Sequence, residues 1–189
     1  LQLKKSPRAI AGLAILLIWI IAALIGPSLL PFTYTQMDME SQMVGPGQNG
    51  HLLGTDALGR DVFSRIIYGS RSILTIALMT SLLSSIAGII IGFTAGYFGG
   101  TVDTIFLRIM DILMAIPPLV LAMVVLGILG NSTIFGLTII VSIAYTPATA
   151  RVARGALLTC KSSEYVDAAR IRGESHIYIM FVEILPNTI

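Results

Sequence analysis

Long apolar stretches alternate with short polar ones along this chain, and that alternation predicts its elements. Residues 10–30 carry no charge and would reach about 30 Å as a helix, enough to cross a bilayer. Residues 73–97 and 105–129 form the second and third runs. Residues 134–150 form the fourth and shortest, about 26 Å as a helix. A fifth run opens near Ile177 and continues to the end of the sequence. The pattern predicts an all-α membrane protein with four full transmembrane helices and the start of a fifth. The chain opens on Leu1 and stops at Ile189 inside an apolar run, which reads as a piece of a longer protein.

The polar stretches set the orientation. Four crossings return the chain to its starting side, where Lys4, Lys5, Arg8, Arg108, Arg151, Arg154, Lys161, Arg170 and Arg172 collect. Only Arg60, Arg65 and Arg71 fall opposite. This excess of basic residues assigns the N-terminus and the 151–176 loop to the cytoplasm, and residues 31–72 to the outside. The basic residues before the first run suit a secretory signal too. That run is longer than the usual 7–15 residues or so, and no Ala-x-Ala site follows it, so an uncleaved span is expected.

Composition agrees with a bilayer solvent: 12% of residues are charged, against about a quarter in ordinary soluble domains. The lone Cys160 excludes an internal disulfide framework and any multi-cysteine metal site. Neither a cofactor nor a metal is expected. The two histidines, His51 and His176, fall on opposite sides of the membrane, and no His-Glu-x-x-His is present, which argues against a membrane-embedded hydrolase.

Within the outer segment, residues 33–50 read as irregular loop. Gly54-Thr55-Asp56 and Gly59-Arg60-Asp61 suit tight turns, because glycine accepts positive φ and aspartate bonds nearby amides. Val62, Phe63, Ile66 and Ile67, beside Arg65, make a helical stripe that predicts a short helix on the membrane surface. In the second run Gly88, Gly92, Ala95 and Gly96 allow close helix approach. Pro117-Pro118 predicts a kink or break in the third run, and Pro147 the same in the fourth. Asp111 is costly inside a span, and Arg108 is its expected partner at i, i+3.

The segment between the fourth and fifth runs carries helix signals of its own. Ser162 or Ser163 can cap a helix whose first turns hold Glu164 and Asp167 and whose end holds Arg170 and Arg172, matching the helix dipole. Gly173 supplies a left-handed stop, and Ser175 can cap a second helix. The two helices form an elbow. Tyr165, Ala168, Ala169 and Arg172 share a face at spacings of three and four, where the alanines would let a partner surface come close.

Asp167-Ala168-Ala169, then Gly173, then Glu183-Ile184-Leu185-Pro186 resembles the "EAA" loop of binding-protein-dependent ABC importer permeases. Asp167 stands where the family's first Glu is usual, and Glu183 where many members have Ile. His51 through Arg65, with Gly54, Thr55, Asp56, Gly59, Arg60, Asp61 and Arg65, followed by Tyr68-Gly69-Ser70-Arg71, is similar to the segment before the second span in the C-type subunit of dipeptide and oligopeptide permeases. The resemblance implies a type I ABC importer permease fold with six spans in the intact subunit. It divides the chain into an N-terminal transmembrane anchor (1–31), an extracytoplasmic loop with an interfacial helix (32–72) and a permease core (73–189) holding the cytoplasmic coupling loop 151–176.

The same resemblance implies a prokaryotic inner membrane and several partners. These are a homologous second permease subunit, two cytosolic ABC ATPase subunits and an extracytoplasmic solute-binding protein. Glu164, Tyr165, Asp167, Ala168, Ala169, Arg170, Arg172, Gly173 and Pro186 would then form the ATPase-coupling element. The chain has no Gly-x-x-x-x-Gly-Lys-Ser/Thr phosphate loop, so ATP would be hydrolysed on another subunit and this one is not an enzyme. Peptide is the expected solute. Nickel and glutathione importers share these motifs, and a passive channel or scaffold would also suit kinked helices and small-residue packing.

Overall fold

A computed structural model describes residues 6–129 and 133–188. The expected basic contribution of Lys4 and Lys5, and the terminal Ile189, lie outside the described residues. The fold is helical, with one isolated antiparallel bridge between Thr55 and Asp61 and no strand among the described residues. Two compact units divide it, Leu1–Ile76 and Ala77–Ile189.

In the first unit, α1 (Pro7–Leu29) starts at Ser6 with proline in its first turn, where no backbone donor is lost. It is apolar on every side, as a helix in lipid should be. Its C-terminal end meets the start of α2 (Val62–Phe98): Tyr68 donates its hydroxyl to the Pro27 carbonyl at 3.2 Å. Residues 38–61 are folded into a knot by backbone bonds, among them Asp38 N–H to the Gly59 carbonyl at 3.1 Å and Thr55 N–H to Val44 at 3.2 Å.

The expected surface helix at 62–67 is not a separate element. Asp61 caps a single helix by accepting from the Ser64 amide at 2.6 Å, and α2 then runs unbroken for 37 residues. Nothing between 62 and 73 stops it, because Gly69 weakens a helix without ending it and Ser70 bonds back to Ile67. At about 55 Å it exceeds the roughly 30 Å hydrocarbon layer and must project beyond it.

The second unit packs the rest of α2 with α3 (Gly100–Ala115), α4 (Pro118–Leu129), α5 (Ile134–Cys160), α6 (Glu164–Ile171) and α7 (His176–Tyr178). After α7 the chain makes a wide π-helical turn, Ile179–Ile184, and a 3-10 turn, Leu185–Asn187. Pro117-Pro118 breaks the third run: the axes on either side meet at 82°. Pro147 does not break the fourth. It is buried inside α5, which continues past the expected end near Arg151 to Cys160, since a proline removes a single donor and the flanking bonds can persist.

Three helices among the described residues are long and apolar enough to cross a membrane, or four if the bent pair counts as one span. The glycine stripe of α2 is used within the chain. A Cβ on Gly92 would collide with the Ala150 carbonyl, and one on Gly96 would lie 3.1 Å from the Leu157 side chain, so glycine lets α2 and α5 touch backbone to backbone. Asp103 binds Arg154 through two bonds of 2.6 Å, tying α3 to α5. Asp111 pairs with Arg151 on α5, not with Arg108. The local partner was available by spacing, but the longer-range one lies across the helix contact.

Candidate functional site

The core of the second unit lies where α2 and α5 end and the elbow begins. Phe93 and Tyr97 of α2, Ala153 and Leu157 of α5, Val166 and Ala169 of α6, and Ile179, Met180 and Ile184 of the π turn bury one another. Phe93 and Phe181 stack with centroids 6.0 Å apart. The elbow is therefore built onto the helix ends and is not a loose connection.

Ser163 occupies the N-cap of α6 with extended backbone, and its carbonyl accepts from Val166 at 3.0 Å; its hydroxyl makes no cap bond. At the other end Gly173 N–H reaches the Arg170 carbonyl at 3.0 Å and Glu174 N–H the Ala169 carbonyl at 3.2 Å. That pair of bonds is a Schellman stop, which needs a left-handed residue, and Gly173 has φ +79°. No atom of the described residues lies within 4 Å of a Cβ built there, so the requirement within the chain is conformational and not steric. Ser175 then accepts from the Tyr178 amide at 3.2 Å to start α7.

The inward face of α6 is Val166 and Ala169, both wholly buried. This corrects the expectation that Ala169 meets a partner: it is packed inside the core that also holds Leu157 and Ile184. Ala168 stays exposed, with Glu164, Asp167, Arg170 and Arg172. Ile171 joins them at 88% exposure, unusual for a large apolar side chain. Tyr165 is half-buried against the core. Burial, then the neighbouring Cys160, push its phenol above the ordinary value, so it remains neutral. Pro186 is exposed in the 3-10 turn.

Charges brace the elbow. Arg170 bonds Asp167 at 2.8 Å along α6, and Arg172 bonds Glu183 at 2.7 Å across the turn. Both residues that depart from the family pattern, Asp167 and Glu183, thus have a partner within the elbow. Lys161 donates to the Gly96 carbonyl at 3.0 Å, and Lys161 and Arg170 stand over the Tyr97 ring at 5.8 and 5.9 Å. Tyr97 Oη lies 3.0 Å from His176 Nδ1. Sequence reasoning missed Tyr97, Lys161 and Val166, because none belongs to a motif and their partners are distant in the chain.

The outer motif is a separate constellation in the first unit. Gly54 and Gly59 take positive φ. The Thr55 hydroxyl bonds the Ser41 carbonyl and accepts from the Val44 amide. Asp56 accepts from the Arg60 and Leu58 amides at 3.0 and 2.9 Å, from Arg60 Nε at 2.8 Å and from Arg65. The Arg60 amide, then, against a desolvation cost, the Leu58 amide and the Arg60 guanidinium hold the Asp56 carboxyl well below the usual carboxylate range. Asp61 also meets His51 Nδ1 at 2.9 Å, and Phe32 stacks on that imidazole at 4.4 Å. Thr55, Asp56, Arg60 and Arg65 thus close the knot, and Asp61 caps α2.

Residues 88–189 match the family described as "Binding-protein-dependent transport system inner membrane component", and residues 1–46 match "N-terminal TM domain of oligopeptide transport permease C". The chain belongs to this family of membrane permeases. It is 39% identical, over 99% of its length and 58% of the relative's, to the dipeptide transport system permease protein DppC of Bacillus subtilis. It is 35% identical to DppC of Haemophilus influenzae, over 97% of this chain and 64% of that one. It is 36% identical to the di/tripeptide transport system permease protein DppC of Pseudomonas aeruginosa, over 95% and 60%. The chain thus spans about three fifths of the length of the curated relatives it matches.

Proposed function

We propose that this chain contributes half of the membrane passage of an ABC importer for dipeptides or oligopeptides. In this reading a second, homologous permease completes the passage, an extracytoplasmic solute-binding protein delivers peptide, and two cytosolic ATPases supply the work. The N-terminus and the elbow face the cytoplasm, where the basic residues collect.

The observation that carries the reading is the asymmetry of α6. One face is locked into the core through Val166 and Ala169, while the other offers Asp167, Ala168 and an 88% exposed Ile171. A helix fixed from behind and bare in front is suited to receive a push. ATP-driven closure of the ATPases would press on this face. The rigid core would pass the displacement to the ends of α2 and α5, and so change access to the passage. Relatives named as peptide permeases support the solute class.

Co-purification tests it. The intact permease should retain its ATPase subunits, and Ile171→Glu should lose them while still inserting in the membrane. Unchanged ATPase recovery with Ile171→Glu and with bulky charged replacement of Ala168 would contradict the assignment.

A further inference from the structure

Two of the three arginines in the outer segment, Arg60 and Arg65, share the Asp56 carboxylate. Arg71 is different. No carboxylate among the described residues pairs with it, and no charge follows it along the chain until Asp103. Its depth follows from the contact between α1 and α2. Tyr68 reaches the Pro27 carbonyl at 3.2 Å, and a Cβ on Gly26 would collide with Ile67. Both helices are long and apolar enough to cross a membrane, and α1 ends at Leu29. Arg71, about 4.5 Å beyond Tyr68 along α2, therefore stands at the depth of the last apolar turns of α1. A guanidinium there is costly unless it is paired or extends back to the headgroups.

A cleft opens beside it. Tyr34, Arg65, Tyr68, Gly69, Arg71 and Ser72 line a space of about 390 Å³, within the range of small-molecule sites. Arg65 bonds Asp56 through one nitrogen, and a guanidinium carries five N–H donors, so others stay available. The rings of Tyr34 and Tyr68 lie 4.9 Å apart, and tyrosine is favoured at the membrane–water interface, where one end is apolar and the other wet. Gly69 keeps the space open: no atom of the described residues lies within 4 Å of a Cβ built there.

We propose that this cleft binds the phosphodiester headgroup of a membrane phospholipid. Guanidinium groups match phosphate oxygens with forked, charge-assisted bonds, and two of them line the cleft. The hydroxyls of Tyr34 and Ser72 can donate to the remaining oxygens. Depth selects the source of the phosphate: at the edge of the hydrocarbon layer the resident anions are lipid headgroups, whose acyl chains continue into the bilayer. The bound lipid supplies the counter-charge that the chain itself does not give Arg71, and it anchors the start of α2 at the membrane surface.

The test uses the full-length permease with its partner subunits, purified in detergent and titrated with dioctanoylphosphatidylglycerol, with bound lipid counted by native mass spectrometry. Wild type should hold one lipid more tightly than any further one. Arg71→Gln should raise that dissociation constant about ten-fold or more, the value of a charged hydrogen bond, and Arg71→Lys should recover part of the loss. Gly69→Leu, whose side chain would occupy the cleft, should lose the lipid. Arg71 is exposed, so the glutamine variant should unfold at the wild-type temperature when lipid is absent. Neither dioctanoylglycerol, which lacks the phosphate, nor millimolar inorganic phosphate should displace the lipid. Wild-type affinity in Arg71→Gln or in Gly69→Leu overturns the proposal, as does displacement by either competitor. So does an Arg71→Gln that keeps the lipid and loses an extracytoplasmic solute-binding protein, which would make the arginine a protein contact.

Discussion

Arg172 Nη2 stands 2.7 Å from Glu183 Oε1, closing the elbow on the far side of Gly173. The two residues sit on different helical segments, so their bond fixes the angle between α6 and the turn that follows α7. Both are partly solvated, and the pair is worth roughly 0.2–1 kcal/mol. Arg172→Glu and Glu183→Arg should each loosen the elbow, and the double exchange should recover it. A double-mutant cycle on amide protection of residues 169–174 measures the coupling; additive effects would mean the contact has no energetic weight.

Gly173 makes a sharper demand. Its left-handed conformation costs an ordinary L-residue about 1–2 kcal/mol, while no neighbour blocks a side chain. Gly173→Val should therefore uncouple uptake without preventing insertion, and Gly173→Asn, which tolerates that region, should retain most of it. Uptake per ATP hydrolysed in proteoliposomes is the readout. Equal loss in both variants would point to crowding by a partner and not to backbone conformation.

The α2–α5 contact should be the least forgiving position in the second unit. Gly92→Val drives a side chain into the Ala150 carbonyl. Overpacking of this kind typically costs about 1–3 kcal/mol. Gly127→Ala, where no atom of the described residues lies within 4 Å of an added Cβ, is the control. Thermal unfolding of the detergent-purified permease should fall markedly for the first and barely for the second.

Acid should open the outer knot. The Asp56 carboxyl is depressed in the folded loop, so its contribution is fully present above the unfolded aspartate value of about 3.9 and is lost as pH falls below it. Protection of the Leu58 and Arg60 amides should therefore be flat from neutral to weakly acidic pH and decline in stronger acid. Asp56→Asn should be less protected at neutral pH and show a smaller decline, the remainder coming from Asp38 and Asp61, whose carboxyls are also depressed. Hydrogen exchange resolved by residue tests both.

How far these features could be read from sequence depends on the range of the interaction. Gly173 was legible because a Schellman stop is local, set by one glycine after a helix ending in arginines. The Pro117-Pro118 break was equally local. Ala169 was misread because adjacent stripes on a short helix share the same spacing. The choice between them is made by the core that other elements supply, Leu157 and Ile184 among its members. Asp111 shows the same limit: Arg108 lies one turn away, yet the partner is Arg151, 40 residues on. The continuity of residues 62–67 with α2 was hidden for another reason, since composition changes at residue 73 without any signal to stop the helix.

In the assembled importer the bare face of α6 should be covered by an ATPase subunit. Hydrogen exchange on the full-length permease, with and without its ATPases, tests this most directly. Protection should rise in residues 164–173 and leave the already buried Ile179–Ile184 turn unchanged. If residues 164–173 exchange equally fast in both samples while the subunits remain bound, the elbow is not the seat of the ATPase.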